Sequence, residues 1–376
     1  MRTIAYYLPQ FYPFEENNEW WGEGFTEWTN VGKAKALFPG HSQPRVPKDL
    51  GYYDLRLPQV RLAQAQMAEY YGIDGFCYWH YWFGNGRRLL NKVFDEVIES
   101  QMPNFPLCLG WANETWTGIW HGLSDEKRVL IEQTYPGIQD IEEHFYTMLK
   151  AMKDDRYIKV DGKPLFLIYK PLNLPNFDVM KSRWNELALE NGLEGIYFVA
   201  HSTDYTQKQH LISLGYDAVN LVRLADVSRK RKILREKLEK SFNTTLLFEL
   251  ASVLIKKIVK KTIFKRYANI YSYKNSIDYF SGNEDMDDNC FPTIIPNWDH
   301  SPRSGNKRLI IHNSTPELFR RHLIKVFKSL KNKPTNRKIV FLKSWNEWAE
   351  GNYMEPDIVH GKDYLQVFKE EKMKVE

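Results

Sequence analysis

Along the chain, short runs of apolar residues alternate with stretches in which apolar residues recur every three or four positions. The first pattern predicts strands and the second amphipathic helices. The strand candidates are Thr3–Leu8, Gly72–Trp79, Pro106–Trp111, Pro164–Tyr169, Gly195–Ala200, Asp217–Leu221, Phe291–Trp298 and Lys338–Trp345. Several are apolar almost throughout, as in strands covered on both faces. Helix candidates lie between them, at Gln59–Tyr71, Lys92–Ser100, Ile138–Met152, Val179–Asn191 and Pro316–Leu330. Eight strands with intervening helices predict an α/β chain closed into a (β/α)8 TIM barrel. A doubly wound open sheet ranks second, and it is weakened because no G-x-G-x-x-G follows the first strand. With 376 residues the chain exceeds the ~250 of such a barrel and leaves room for insertions. It is read as a single catalytic domain over 1–376.

Two insertions interrupt the alternation. Residues 12–58 form a long aromatic loop with Gly and Pro after the first strand, a length usually kept for function. Residues 226–288 follow the sixth strand and contain a basic helical stretch. Within it, 227–266 holds thirteen Lys and Arg against three Glu. The chain as a whole carries +5, so the rest of it is acidic. Basic character confined to one segment argues against a nucleic-acid-binding face or groove. Leu246–Ile263 reads as an apolar helix followed by Lys-rich turns. One reading lays this stretch on an anionic membrane surface, as a peripheral contact. The other makes it a solvated basic flank of the barrel.

No run reaches the ~18 apolar residues of a membrane span, and no apolar leader precedes the first strand. A cytoplasmic protein, with membrane association only at the periphery, is the expectation. Cys77, Cys108 and Cys290 form no C-x-x-C pair, and two of them sit in apolar runs. Buried free thiols in a reducing compartment fit that pattern.

In a barrel of this kind the chemistry sits at the C-terminal ends of the strands. Those ends here are crowded with aromatic and polar residues, in a chain with 12 Trp and 22 Tyr. Flat aromatic faces stack on sugar rings, and Tyr and Trp add a polar handle. Interleaved Asn, Glu, His and Asp argue against a purely structural cluster, because burying them unpaired costs several kcal/mol. The substrate-binding candidates are Tyr7, Gln10, Trp28, Tyr78, His80, Trp82, Trp111, Asn113, Glu114, Trp116, Tyr169, Lys170, His201, Trp298, Asp299, Arg303, Trp345, Asn346 and Trp348. Glu347 and Glu350 are the catalytic candidates. Cleavage of a glycoside needs two carboxyl groups, one to protonate the leaving oxygen and one to assist as nucleophile or base. Residues three apart share one helical turn, so this pair can aim into one pocket. Burial beside Trp345 and Trp348 would push a carboxyl toward the acid role. Glu114 is a hydroxyl ligand, an alternative catalytic partner, or a structural acid paired with Lys170 or Arg303. His80 and His201 are either hydroxyl ligands or hydrogen-bonded rim residues. No H-E-x-x-H occurs, and the histidines lack ligand spacing, so neither a metal nor a cofactor is expected. Asp285-Met286-Asp287 is read as a loop rather than a metal motif.

Six segments carry a family resemblance. They are Ala5–Pro13, Trp20-Trp21-Gly22 through Glu27-Trp28, Gly75–Trp82, Trp111–Glu114, Asn297-Trp298-Asp299 with Pro302-Arg303, and Trp345–Gly351. Together they resemble the WbsX-like proteins, often labelled glycosyltransferases of surface-polysaccharide clusters. These are similar in turn to glycoside hydrolase family 99, the endo-α-mannosidases and endo-α-mannanases. The resemblance implies an oligo- or polysaccharide substrate and a retaining reaction through a 1,2-anhydro sugar. In that scheme Glu347 is the base toward the 2-hydroxyl and Glu350 the general acid. The hydrolase motif has His where this chain has Ala349, and the segment after Gly351 also differs. The label implies the competing activity, glycosyl transfer in O-antigen or capsule assembly.

Overall fold

The computed structural model describes residues 1–118, 128–229, 269–305 and 308–375. Eight parallel strands close a barrel: β1 (Arg2–Tyr7), β2 (Gly75–Trp82), β3 (Leu107–Trp111), β4 (Lys163–Ile168), β5 (Tyr197–Ser202), β6 (Ala218–Leu221), β7 (Cys290–Ile294) and β8 (Ile339–Leu342). Each pairs with its neighbour in sequence. The ring shuts where Arg2–Ala5 of β1 lie beside Ile339–Leu342 of β8. All eight predicted strands are present, with ends that shift by a few residues. β2 runs on to Trp82 because its end folds back as a short hairpin with Arg88–Leu89. β7 stops at Ile294, and Trp298–Asp299 instead pairs antiparallel with Ile310–His312.

Helices α3 (Pro58–Tyr70), α4 (Lys92–Ser100), α5 (Ile138–Met152), α6 (Phe177–Glu190), α7 (Lys208–Ser213) and α8 (Pro316–Leu330) cover the outside. α8 shows why such segments are helical. Thr315 caps it by accepting from Leu318 N, and Pro316 occupies its first turn, where no N–H is needed. Its buried Phe319, Leu323, Val326, Phe327 and Leu330 recur at three- and four-residue spacing and face the barrel. Helix α9 (Asp363–Met373) lies outside the predicted set. It packs on α8 through Phe368 against Phe327, and its Lys372 donates to Asp74 at 2.6 Å.

The 12–58 insertion carries two helices of its own, α1 (Glu15–Trp21) and α2 (Glu27–Lys33). Leu246–Ile263, and all but the first three residues of 227–266, lie outside the described residues. Among the described residues no helix is long and apolar enough to cross a membrane. Asp285-Met286-Asp287 belongs to a structural ion-pair turn: Asp285 is buried against Arg223 at 3.2 Å, and Asp287 pairs with Lys208. The three cysteines are free and buried, and Cys77 sits directly across from Cys108.

Candidate active site

Strand alternation decides which rim residues reach the barrel mouth, since neighbours along a strand point to opposite sides. On β2 the inward residues are Trp79 and Tyr81, which line a cleft of about 490 Å³. Trp79 stacks on Tyr6 with ring centroids 4.8 Å apart. Tyr78, His80 and Trp82 turn outward to the helices. Tyr78 packs on Phe94 of α4, and His80 Nε2 faces His144 Nε2 of α5 at 2.8 Å. Trp82 stacks on the same imidazole at 4.7 Å. These three expected ligands are therefore wall residues. The sequence shows five polar and aromatic residues in a row but not which parity faces in.

The cleft holds nine of the expected residues: Gln10, Glu114, Trp116, Tyr169, His201, Trp298, Arg303, Glu347 and Glu350. Lys170 stands at its edge, 3.7 Å from Glu114, as anticipated for that acid. The remaining candidates build the frame. Tyr7 donates to Gln64 at 2.7 Å, Trp111 to the carbonyl of Trp82 at 2.9 Å, and Trp28 to that of Tyr53 at 2.8 Å. Asn113 brackets Lys170, accepting from its N–H and donating to its carbonyl. Asn346 does the same to Leu8. Asp299 accepts from Gln43 at 2.6 Å and meets His41 at 2.7 Å, which ties the 12–58 insertion to the rim after β7. Trp345 and Trp348 are fully buried and face away from the cleft. Trp345 packs on Phe76, and the Trp348 indole donates to Glu355 at 2.6 Å.

Glu347 and Glu350 follow β8 on a tight turn that includes the helical turn Trp348–Glu350. Gly351 ends it at φ +56°, and a Cβ there would lie 2.6 Å from Asp299 Cβ, so only glycine fits. Both carboxyls are buried, 5% and 7% exposed. Glu347 has Lys343 Nζ at 3.5 Å and the Ser344 hydroxyl at 3.4 Å. Glu350 accepts from Arg303 Nη1 at 2.5 Å and Asn352 Nδ2 at 3.3 Å, with His300 Nε2 at 3.4 Å. The same guanidinium is held from behind by Glu27 of α2, at 3.1 Å. Burial and the neighbouring Glu350 charge push the Glu347 carboxyl up. Burial also pushes Glu350 up, but Arg303 and His300 outweigh it and hold that carboxyl well below the usual range.

Glu27, Tyr81, Trp79, His300 and Lys343 line the cleft without having been singled out. Trp79 and Tyr81 stand within the Gly75–Trp82 segment, and Glu27 carried a signal too, since it stands beside Trp28. Its partner Arg303 is 276 residues away, a contact that no local pattern reveals.

The fold and the cleft define a (β/α)8 barrel with a pair of buried, oppositely tuned carboxyls at its C-terminal mouth. More particularly, the chain belongs to the glycosyltransferase WbsX family, whose family model matches residues 3–368. Two curated relatives called uncharacterized protein WxcX, from two strains of Xanthomonas campestris pv. campestris, are 31% and 32% identical over 368 residues. Those matches take in 96% of this chain and 48% of each relative, so the chain spans about half the length of the curated relatives it matches. Among solved structures, the GH99 endo-alpha-mannosidase from Bacteroides thetaiotaomicron superposes with a TM-score of 0.57 at 14% identity, covering 100% of this chain and 97% of that one. A glycoside hydrolase-like protein superposes at 0.56 with 16% identity, covering 98% and 93%. At these identities the likeness is one of fold.

Proposed function

We propose that this barrel cleaves an α-linked, mannoside-like bond within a surface polysaccharide, with retention, and that Glu347 and Glu350 are its acid–base pair. The observation that carries the reading is the pair itself. Two carboxyls three residues apart share one buried cleft, and separate cations set their charge preferences apart. Paired carboxyls with divergent environments are the equipment of glycoside cleavage. The rest of the cleft suits a sugar. Trp79, Trp116, Trp298 and Tyr169 offer flat faces, and the buried His201 Nε2 and Trp298 Nε1, which have no hydrogen-bond partner among the described residues, suit a sugar hydroxyl.

In the reaction one carboxyl gives its proton to the glycosidic oxygen as the C1–O bond breaks. The other takes the proton of the 2-hydroxyl, whose oxygen closes on C1 to form a 1,2-anhydro sugar. Water then opens that ring at C1: its proton goes to the first carboxylate, and the second carboxyl returns its proton to O2. The 2-hydroxyl must lie trans to the leaving group, as it does in α-mannosides.

Glycosyl transfer in O-antigen or capsule assembly is the second reading, favoured by the family's description. It uses the same first step with a sugar hydroxyl in place of water. The test is incubation with the surface polysaccharide of the source organism, without nucleotide sugar, followed by mass spectrometry. Fragments that vanish with Glu350→Gln support cleavage. No fragments, but elongation once a nucleotide or lipid-linked sugar is added, give the transferase instead. Peripheral contact with an anionic bilayer through 227–266 belongs to the same proposal. Sedimentation with anionic vesicles should weaken on Lys256→Glu and Lys257→Glu, and unchanged sedimentation sinks it.

A further inference from the structure

We propose that Lys343 is a third catalytic residue, whose ammonium donates to the oxygen of the 2-hydroxyl while Glu347 takes that hydroxyl's proton. This rests on the cleavage reading above and on Glu347 as the base toward the 2-hydroxyl, the role that the family resemblance implies. Among the described residues four lysines are buried: Lys208, Lys333, Lys343 and Lys372. Three of them have hydrogen-bonded ammonium groups. Lys208 donates to Asp287, Lys333 to the carbonyl of Cys290, and Lys372 to Asp74 and the carbonyl of Gly72 at 2.6 and 2.7 Å. A buried cation needs such partners, since its lost hydration must be replaced. Lys343 is the exception, and it is the one of the four that lines the cleft. Its ion-pair partner among the described residues is Glu347 Oε2 at 3.5 Å, well beyond the ~2.7–2.9 Å of a charge-assisted hydrogen bond.

The ammonium is held in place without being satisfied. It lies over the rings of Tyr6, Trp79 and Trp298 at 5.5, 5.8 and 5.4 Å, and those faces attract its charge but offer no lone pair. The Lys343 backbone N–H donates to the carbonyl of Ile294 at 2.9 Å, which ties the residue to β7. On the other side of the gap, the Ser344 hydroxyl is 3.4 Å from Glu347 Oε2 but 2.7 Å from Asn352 Oδ1, and commits its hydrogen there. A hydroxyl fills the gap from both sides. Its oxygen accepts from the ammonium, its hydrogen goes to the carboxylate, and two atoms 3.5 Å apart can both reach one oxygen at ordinary hydrogen-bond length. An ether or a carbonyl cannot serve both.

In the cleavage step that hydroxyl is the one Glu347 deprotonates. Negative charge gathers on O2 as its proton leaves, and an ammonium already in position stabilises it without rearrangement. The O2 electron pair then closes on C1 as the bond from C1 to the leaving oxygen breaks, and that oxygen takes a proton from the other carboxyl. In the second half water bonds to C1 and gives its proton to the other carboxylate. The C1–O2 pair returns to O2, and Glu347 hands its proton back. Lys343 keeps its three protons throughout and steadies O2 in both directions.

The test uses Glu350→Gln protein as a parent that holds saccharide without cleaving it. Methyl α-mannoside and its 2-deoxy analogue are compared by titration calorimetry. The parent should bind the 2-hydroxyl form about fivefold more tightly or better, and a smaller preference overturns the assignment whether or not any lysine variant folds. Lys343→Met, which keeps the length and removes the donor, should cut that preference about threefold or more, with Lys343→Gln restoring part of it. A preference that Lys343→Met leaves unchanged overturns the assignment and leaves the cleavage reading standing. A parent that binds neither glycoside sinks the mannoside reading and this assignment with it. On a saccharide that is cleaved, Lys343→Met should lower kcat about a hundredfold, with a smaller change in KM. A loss confined to KM overturns the catalytic role.

Discussion

The indole of Trp348 donates to Glu355 at 2.6 Å, so the ring between the two catalytic candidates is anchored to a third carboxyl beneath the cleft. Gln64 and Tyr53 donate to the same group at 2.6 and 2.8 Å. Burial nevertheless dominates these bonds and pushes the Glu355 carboxyl up to about 7. A folded value above the unfolded one means that the native state binds the extra proton. Its contribution to stability is therefore complete below the unfolded value near 4.5 and is lost as the pH rises to about 7. The loss is on the order of 3 kcal/mol. Denaturant unfolding at pH 4.5 and 7.5 should show it, and Glu355→Gln should flatten the dependence. An equal slope in that variant would refute the attribution.

Alternation on β2 separates binding from stability. Trp79→Leu should raise KM for the saccharide roughly tenfold, as expected for loss of one stacking face, with a smaller effect on melting. Trp82→Leu should destabilise by about 2–5 kcal/mol, because it removes the stack on His144, and leave KM in place. Melting temperatures and KM values from the two variants decide the matter, and a swap of the two effects would contradict the register.

Gly351→Ala should cost about 1–3 kcal/mol through its φ of +56° alone, and it should depress kcat as well. The added methyl group meets Asp299 and displaces the turn that carries Glu350. A variant with full activity and unchanged melting would show that the turn has slack.

Lys343→Met removes the cation 3.5 Å from Glu347. Lys343 lowers the Glu347 carboxyl, so its loss should keep the proton there to higher pH. Glu347 governs one limb of kcat/KM, the acidic limb as the base toward the 2-hydroxyl or the alkaline limb as the acid, and that limb should move upward. A profile that ignores Lys343→Met would refute the pairing of Lys343 with Glu347.

Much of the barrel was legible because strands buried on both faces read as unbroken apolar runs, and helices such as Ile138–Met152 carry a clear three-to-four spacing. The rim was harder. In Gly75–Trp82 every residue is buried, so polarity does not betray which side faces the cleft. Trp345 and Trp348 flank the acids in sequence yet pack beneath them, because a tight turn points successive side chains in different directions. The pair's electrostatics depended on Arg303 and Glu27, which long-range folding brings together. Burial beside the two indoles suggested that a carboxyl would be pushed up, and at Glu350 Arg303 and His300 outweigh that burial.

The pairing of β1 with β8 sets an order of assembly. The first strand of the barrel waits for the last, across more than three hundred residues, before its free edge is covered. Contacts of such sequence separation form slowly, since a long loop must close before any bond rewards it. Glu347 and Glu350 lie just beyond β8, so they are the last part of the mouth to leave the ribosome. A chain stopped before that point would present a sticky, open sheet and no acid pair, and the barrel would acquire its reactivity only as its edges disappear.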